Sequence, residues 1–288
     1  MSLPTRIDQP GPAAAERILA VEARGRAFDM VLQAGLPLLE AVRRGFAAEG
    51  FTSGVVEFGQ LALAPFAYVM PALSETGEHA AFYSAQFRPA GVTLLESGAM
   101  TFGQRDGQPF FHTHALWREA DGKRCGGHIL PEETIVASEA RVSAFGLDGA
   151  GFEGRVDPET NFKLFEPVPR PPTGAKTDAR AFALRLRPNQ DFAGCLETFC
   201  AQHGIARATL RGGVGSTIGA RFEHGIVIGN FATEIYLRNA HIAPGPDGGH
   251  VATLDIGLVD YTGQMAEGRL IRGQNPVLMT MELVLVAE

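Results

Sequence analysis

The sequence predicts an α+β protein built from two copies of one domain, each a twisted, largely antiparallel sheet packed by a helix. Three observations carry this: the chain aligns with itself, each copy opens with a strand leading into one amphipathic helix, and several alternating strands follow. AFDMVLQAGLPLLEAVRRGFAAEGF, from Ala27, matches AFALRLRPNQDFAGCLETFCAQHGI, from Ala181, without a gap. In both, the helix stops at Gly50 or Gly204, the residue type favoured just past a helix end. An apolar strand comes next, SGVVEF in one copy and ARATLR in the other.

Further along, RDGQPFFHTHALWREADGKRCGGHIL (from Arg105) aligns with PDGGHVATLDIGLVDYTGQMAEGRLI (from Pro246), again ungapped. The difference in length between the copies falls in the loop between Pro65 and Pro89. Each copy closes with an alternating strand, IVASEARVSAFG and VLMTMELVLV. A helix against one antiparallel sheet is a stable two-layer solution. The expected boundaries are an N-terminal extension (1–26), a first copy (27–152), a Pro-rich semi-extended linker without periodicity (153–180) and a second copy (181–288).

Bulk composition narrows the function classes. With 288 residues, 45% hydrophobic and 20% charged, the chain is a folded protein long enough for two cores. No apolar run approaches the roughly 18 residues of a membrane span. Pro and charge stand where a secretory leader needs an apolar run, so a cytoplasmic location is expected. A formal charge of −7 disfavours nucleic acid as the main partner. Three cysteines, Cys125, Cys195 and Cys200, are too few and too unpatterned for a disulfide framework or a thiolate metal site.

The strongest local signal is H-T-H, then A-D-G-K, then C-G-G-H. On a strand, residues i and i+2 share a face, so His112 and His114 project together. Asp121-Gly122 is a hairpin signal that returns the chain beside itself. Parity then makes a demand: a regular two-residue loop would set His114 opposite Ile129 and turn His128 away. To join the pair, His128 needs either a bulge at Gly126-Gly127 or a three-residue loop. Three neutral imidazoles suit zinc or a similar divalent metal and leave a fourth position for water or a small ligand. His112, His114 and His128 are therefore the candidate metal site.

The run GQPFFHTHALWREADGKRCGGHIL resembles the plant and prokaryote conserved (PPC) domain, whose hallmark is H-x-H, a Gly-containing turn and G-G-H. The resemblance spans about 27–147 and extends more weakly over 181–287. It implies a twisted antiparallel sheet with a packed helix, self-association as trimers, and a metal site at the three histidines. Plant members join the domain to AT-hooks, and bacterial ones are often labelled DNA-binding, which is fold-level analogy. Here Arg24-Gly25-Arg26 lacks the following Pro and the basic flank of an AT-hook, so both arginines are expected as solvated residues ahead of a strand. The second copy aligns Thr253, Asp255 and Arg269 with the three histidines, so the metal site is expected in the first half alone, with an Asp255–Arg269 ion pair filling the equivalent space. Three roles stay open: a small-ligand binder, a metal-dependent enzyme acting on a small carbonyl or anionic substrate, or a DNA-binding regulator.

Lesser signals are read as structural. Gly248-Gly249-His250 aligns ahead of its hairpin and is not a His128 equivalent. RGGVGSTIG (from Arg211) misses phosphate-loop spacing and fits backbone crowding at a bulge. Glu132 and Glu133 are expected as exposed carboxylates rather than a base or fourth ligand, and Trp117 as packing.

Overall fold

The computed structural model describes residues 4–288. Its first half runs β1 (Ile18–Leu32), α1 (Leu38–Ala48), β2 (Gly54–Phe58), the short strands β3 (Leu61–Leu63), β4 (Tyr68–Val69), β5 (Pro71–Ala72) and β6 (Phe82–Tyr83), then β7 (Thr93–Arg105), β8 (Gln108–Arg118), β9 (Arg124–Ile129) and β10 (Ala140–Asp148). A hairpin of β11 (Ala150–Val156) and β12 (Lys163–Pro169) leads on. The second half runs β13 (Ala179–Leu186), α2 (Phe192–Gln202), β14 (Ala208–Arg221), β15 (Val227–Pro244), β16 (His250–Asp260), β17 (Met265–Arg269) and β18 (Val277–Ala287).

Local chemistry explains the helices. The face of α1 buries Leu38, Ala41, Val42 and Phe46, the spacing of an amphipathic helix, and Gly50 takes a left-handed φ of 82° just beyond it. Asp191 caps α2 by accepting from the Gly194 amide at 2.8 Å. Cys195 and Cys200 are both buried on α2; burial pushes their thiols up to about 12 and about 11, so neither is a nucleophile at neutral pH.

Nearly all pairing is antiparallel. The sheet order is β17-β16-β15-β14-β18-β13-β1-β10-β2-β7-β8-β9-β4, which reads alike outward from the central β13–β1 pair. β18 answers β10, β14 answers β2, and the hairpin β16–β17 answers β8–β9. Each half keeps its own helix-backed core. The sheet curls until β14 and β15 pack on β7 and β8, where Val214, Tyr236, Ala99 and Leu116 form a further buried cluster. Across this closure the Ser97 and Tyr236 hydroxyls lie 2.5 Å apart, and Arg211 meets Glu57 at 2.9 Å. The Gly-rich stretch falls in β14, whose register slips between Arg211 and Val214 and again between Gly215 and Thr217. A Cβ on Gly215 would sit 2.2 Å from the Thr280 carbonyl oxygen, so the glycine answers crowding.

Two expectations need correction. Arg24 and Arg26 lie inside β1, not ahead of it, because β1 gains a second partner in β13 that local pattern cannot reveal; Arg26 also pairs with Glu49 at 2.6 Å. The segment read as a linker contains the β11–β12 hairpin, which buries Phe152, Leu164, Phe165 and Val168. Pro167 and Pro169 are tolerated there because β12 has only β11 beside it. Among the described residues, no helix is long and apolar enough to cross a membrane.

Candidate metal centre

The hairpin settles the parity question. The register runs unbroken from Arg118 opposite Arg124 to His114 opposite His128. Its turn is the three-residue loop Ala120-Asp121-Gly122: the Glu119 amide donates to the Lys123 carbonyl at 2.8 Å, and Gly122 takes a φ of 90°. No bulge occurs at Gly126-Gly127. Gly127 instead lets β4 approach, since a Cβ there would meet the Val69 carbonyl oxygen at 2.4 Å. His112, His114 and His128 consequently share one face, with one ring nitrogen from each lying within 4.8 Å of the others.

Hydrogen bonding fixes which nitrogens face inward. His114 Nδ1 lies 3.0 Å from the Ile235 carbonyl oxygen, which can only accept, so Nδ1 carries the proton and Nε2 presents a lone pair. His112 Nδ1 meets the Glu282 carboxylate at 2.8 Å, again as donor, and its Nε2 stands 3.0 Å from that of His114. Two lone pairs at that distance repel unless a proton or a metal ion lies between them. The separation is close to the ~3.3 Å between nitrogens of a tetrahedral zinc site. His128 Nδ1, Glu282 Oε1 and Glu234 Oε2 are all buried without a hydrogen-bond partner. These orphaned groups ring the cluster, and the donor set fits a divalent ion.

The electrostatics agree. Burial, reinforced by repulsion from the neighbouring imidazoles, holds His114 well below the usual histidine range. Burial also depresses His128, with His112 and Arg105 adding to it. Both therefore stay neutral, as ligands must. Glu234 Oε1 lies 3.8 Å from His114 Nε2, and burial pushes its carboxyl well above the ordinary value. Tyr83, from the variable loop, stacks edgewise on His128 at 5.3 Å between ring centres.

The three candidate ligands all come from the first half, but the groups packed against them do not. Glu282 on β18 and Glu234 on β15 come from the second half, as does the Ile235 carbonyl, all brought over by the curl of the sheet. The anticipated Asp255–Arg269 ion pair is also absent. The two residues stand opposite one another in register, but Asp255 turns to Arg238 and Arg269 to Glu223, each at 3.5 Å. Arg238 is the extra residue where β15 bulges between Leu237 and Asn239, which puts a cation beside Asp255. Glu132 is exposed at the rim and Glu133 pairs with Arg88 at 2.5 Å. Trp117 is fully buried against Phe66 and Tyr68. His250 bonds the Ile205 carbonyl oxygen at 2.8 Å, away from the cluster.

Fold and site together define a class: curled antiparallel-sheet proteins with one helix per half and a histidine cluster on a hairpin. Residues 173–287, in the second half, match the family model of the Plants and Prokaryotes Conserved (PCC) domain. The match falls on the half without the histidine motif, although the motif made the first half the stronger resemblance by eye. Solved structures are also similar. A plant- and prokaryote-conserved (PPC) protein of Pyrococcus horikoshii is 20% identical, with 52% of this chain and 97% of that chain covered and a TM-score of 0.41. A metal-containing protein of Archaeoglobus fulgidus is 20% identical over 49% of this chain and 94% of that chain, with a TM-score of 0.39. A protein of Salmonella enterica named as hypothetical is 13% identical over 51% and 96%, with a TM-score of 0.40. No curated protein sequence matches the chain.

Proposed function

We propose that the protein binds one divalent metal ion, zinc by donor preference, at His112, His114 and His128, and uses the open position to hold a small ligand. The observation that carries this is the pair of inward Nε2 atoms 3.0 Å apart, each locked as a lone pair by the partner of its own Nδ1. Imidazoles oriented through their second nitrogen by a carboxylate or a carbonyl are the usual support of metal ligands. When bound, the ion supplies a Lewis acid facing that open position. Glu282 orients His112, and the second half thus completes the centre besides assembling with the first. The direct test is metal content after exhaustive chelation and reloading: about one zinc per chain in the parent and none in His112→Ala. Equal zinc in both would overturn the reading.

A second reading, metal-dependent catalysis on a small carbonyl or anionic substrate, is favoured by Glu234. A buried carboxyl 3.8 Å from a ligand nitrogen stands where it can exchange a proton with a bound oxygen. Turnover of simple esters and 2-oxo acids that disappears in Glu234→Gln with zinc retained would support it. The trimeric assembly implied by the family remains part of the proposal and is read by sedimentation equilibrium. DNA binding gains little from Arg24 and Arg26, which are strand residues, Arg24 paired on both sides and Arg26 with β10.

A further inference from the structure

The histidine cluster stands at the junction of two unlike cavities. One is a narrow slot of about 60 Å³, walled by Phe82, Phe162, Leu278 and Met279, with Glu234 at its polar end. The other is a chamber of about 360 Å³ that contains Arg105, Lys163, His128 and Glu282. His112 and Tyr83 belong to both walls, so an occupant of one cavity lies against the occupant of the other. Lys163 is already neutralised by both oxygens of Asp106, at 2.7 and 2.8 Å. Arg105 is not: its guanidinium lies over the Phe110 ring at 5.0 Å, and among the described residues it makes no ion pair. A half-buried guanidinium over an aromatic ring, with no carboxylate partner, has donors left for two parallel hydrogen bonds to a carboxylate.

We infer that the site takes an amphipathic organic acid, its carboxylate on Arg105 in the polar chamber and a short hydrocarbon arm in the apolar slot, with the middle of the molecule facing the three histidines. This rests on the metal-site reading for what happens at the middle, but each end is recognised by the protein alone.

Calorimetric titration of zinc-loaded protein with acetate, butyrate and hexanoate, and with 1-hexanol, tests it. Affinity should rise about three- to fourfold per methylene along the acids. Arg105→Met should weaken hexanoate roughly tenfold to a hundredfold, leaving 1-hexanol, zinc content and thermal unfolding unchanged. Ala81→Leu, which fills the slot from its wall, should move the optimum to a shorter acid. An acid series flat in chain length, or hexanoate bound equally by Arg105→Met, would overturn the inference while leaving the zinc measurement untouched. Hexanoate bound through Arg105 by a protein that takes no zinc would sink the metal reading alone.

Discussion

The hairpins β8–β9 and β16–β17 are the same piece of architecture put to different ends. Both turn through a three-residue loop with glycine in the left-handed position, Gly122 at φ 90° and Gly263 at 86°. Both set the third residue of the motif opposite the second, His128 opposite His114 and Arg269 opposite Asp255. The backbone therefore does not need imidazoles to hold this shape. What differs is the opposing wall: two buried carboxylates and a carbonyl face the first hairpin, whereas Arg238 and Glu223 meet the second near solvent. The histidine cluster, and the metal site proposed for it, is thus a property of a hairpin together with its opposite wall.

That contrast can be broken in several ways. The largest effect is expected for His114→Ala, which should abolish zinc retention, whereas Arg269→Ala at the matching place should leave it intact; metal analysis after dialysis decides. Next, Glu282→Gln should weaken zinc affinity about 10- to 100-fold, because His112 loses the carboxylate that orients it. A competition titration with a chromophoric chelator measures this, and an unchanged affinity would mean that the second half is irrelevant to the centre.

A third test uses pH on metal-free protein. His114 and His128 are depressed in the folded state, so the unfolded chain binds more protons below its ordinary value of about 6.5, and stability falls as pH drops through that range. Glu234 is raised, so its contribution runs the other way: stability is lost as pH rises above the ordinary value of about 4.5. Each group contributes at most about 1.4 kcal/mol per pH unit. Urea unfolding in chelator from pH 5 to 8 should show Glu234→Gln losing the alkaline decline, and zinc in place of the chelator should steepen the acid limb, because metal-bound imidazoles take up no proton. The smallest effect belongs to Asp255→Asn, within about 0.5 kcal/mol by the same unfolding assay, because its ion pair is well exposed.

Much of the first hairpin was legible because strand periodicity and turn chemistry are local. His112 and His114 share a face by parity, and the demand on His128 left two loop solutions, of which the three-residue one is adopted. The recurrence of element order was readable for the same reason. Glu234 and Glu282 were not found, since nothing local states that β15 and β18 curl onto β8. A signal was nonetheless present: Glu282 is the lone charge in VLMTMELVLVA, and a carboxylate in such a strand needs a partner to be buried at all. The β11–β12 hairpin was hidden by its prolines, which an edge strand tolerates.

The 170 residues between His112 and Glu282 also set an order of events. A growing chain presents all three imidazoles long before the carboxylate that orients one of them has been synthesised. If the cluster holds metal as proposed, an ion that arrives in that interval meets a His112 not yet oriented by Glu282. The full wall of the site forms only when β18 slots between β14 and β13, a long-range pairing of the kind that closes slowly.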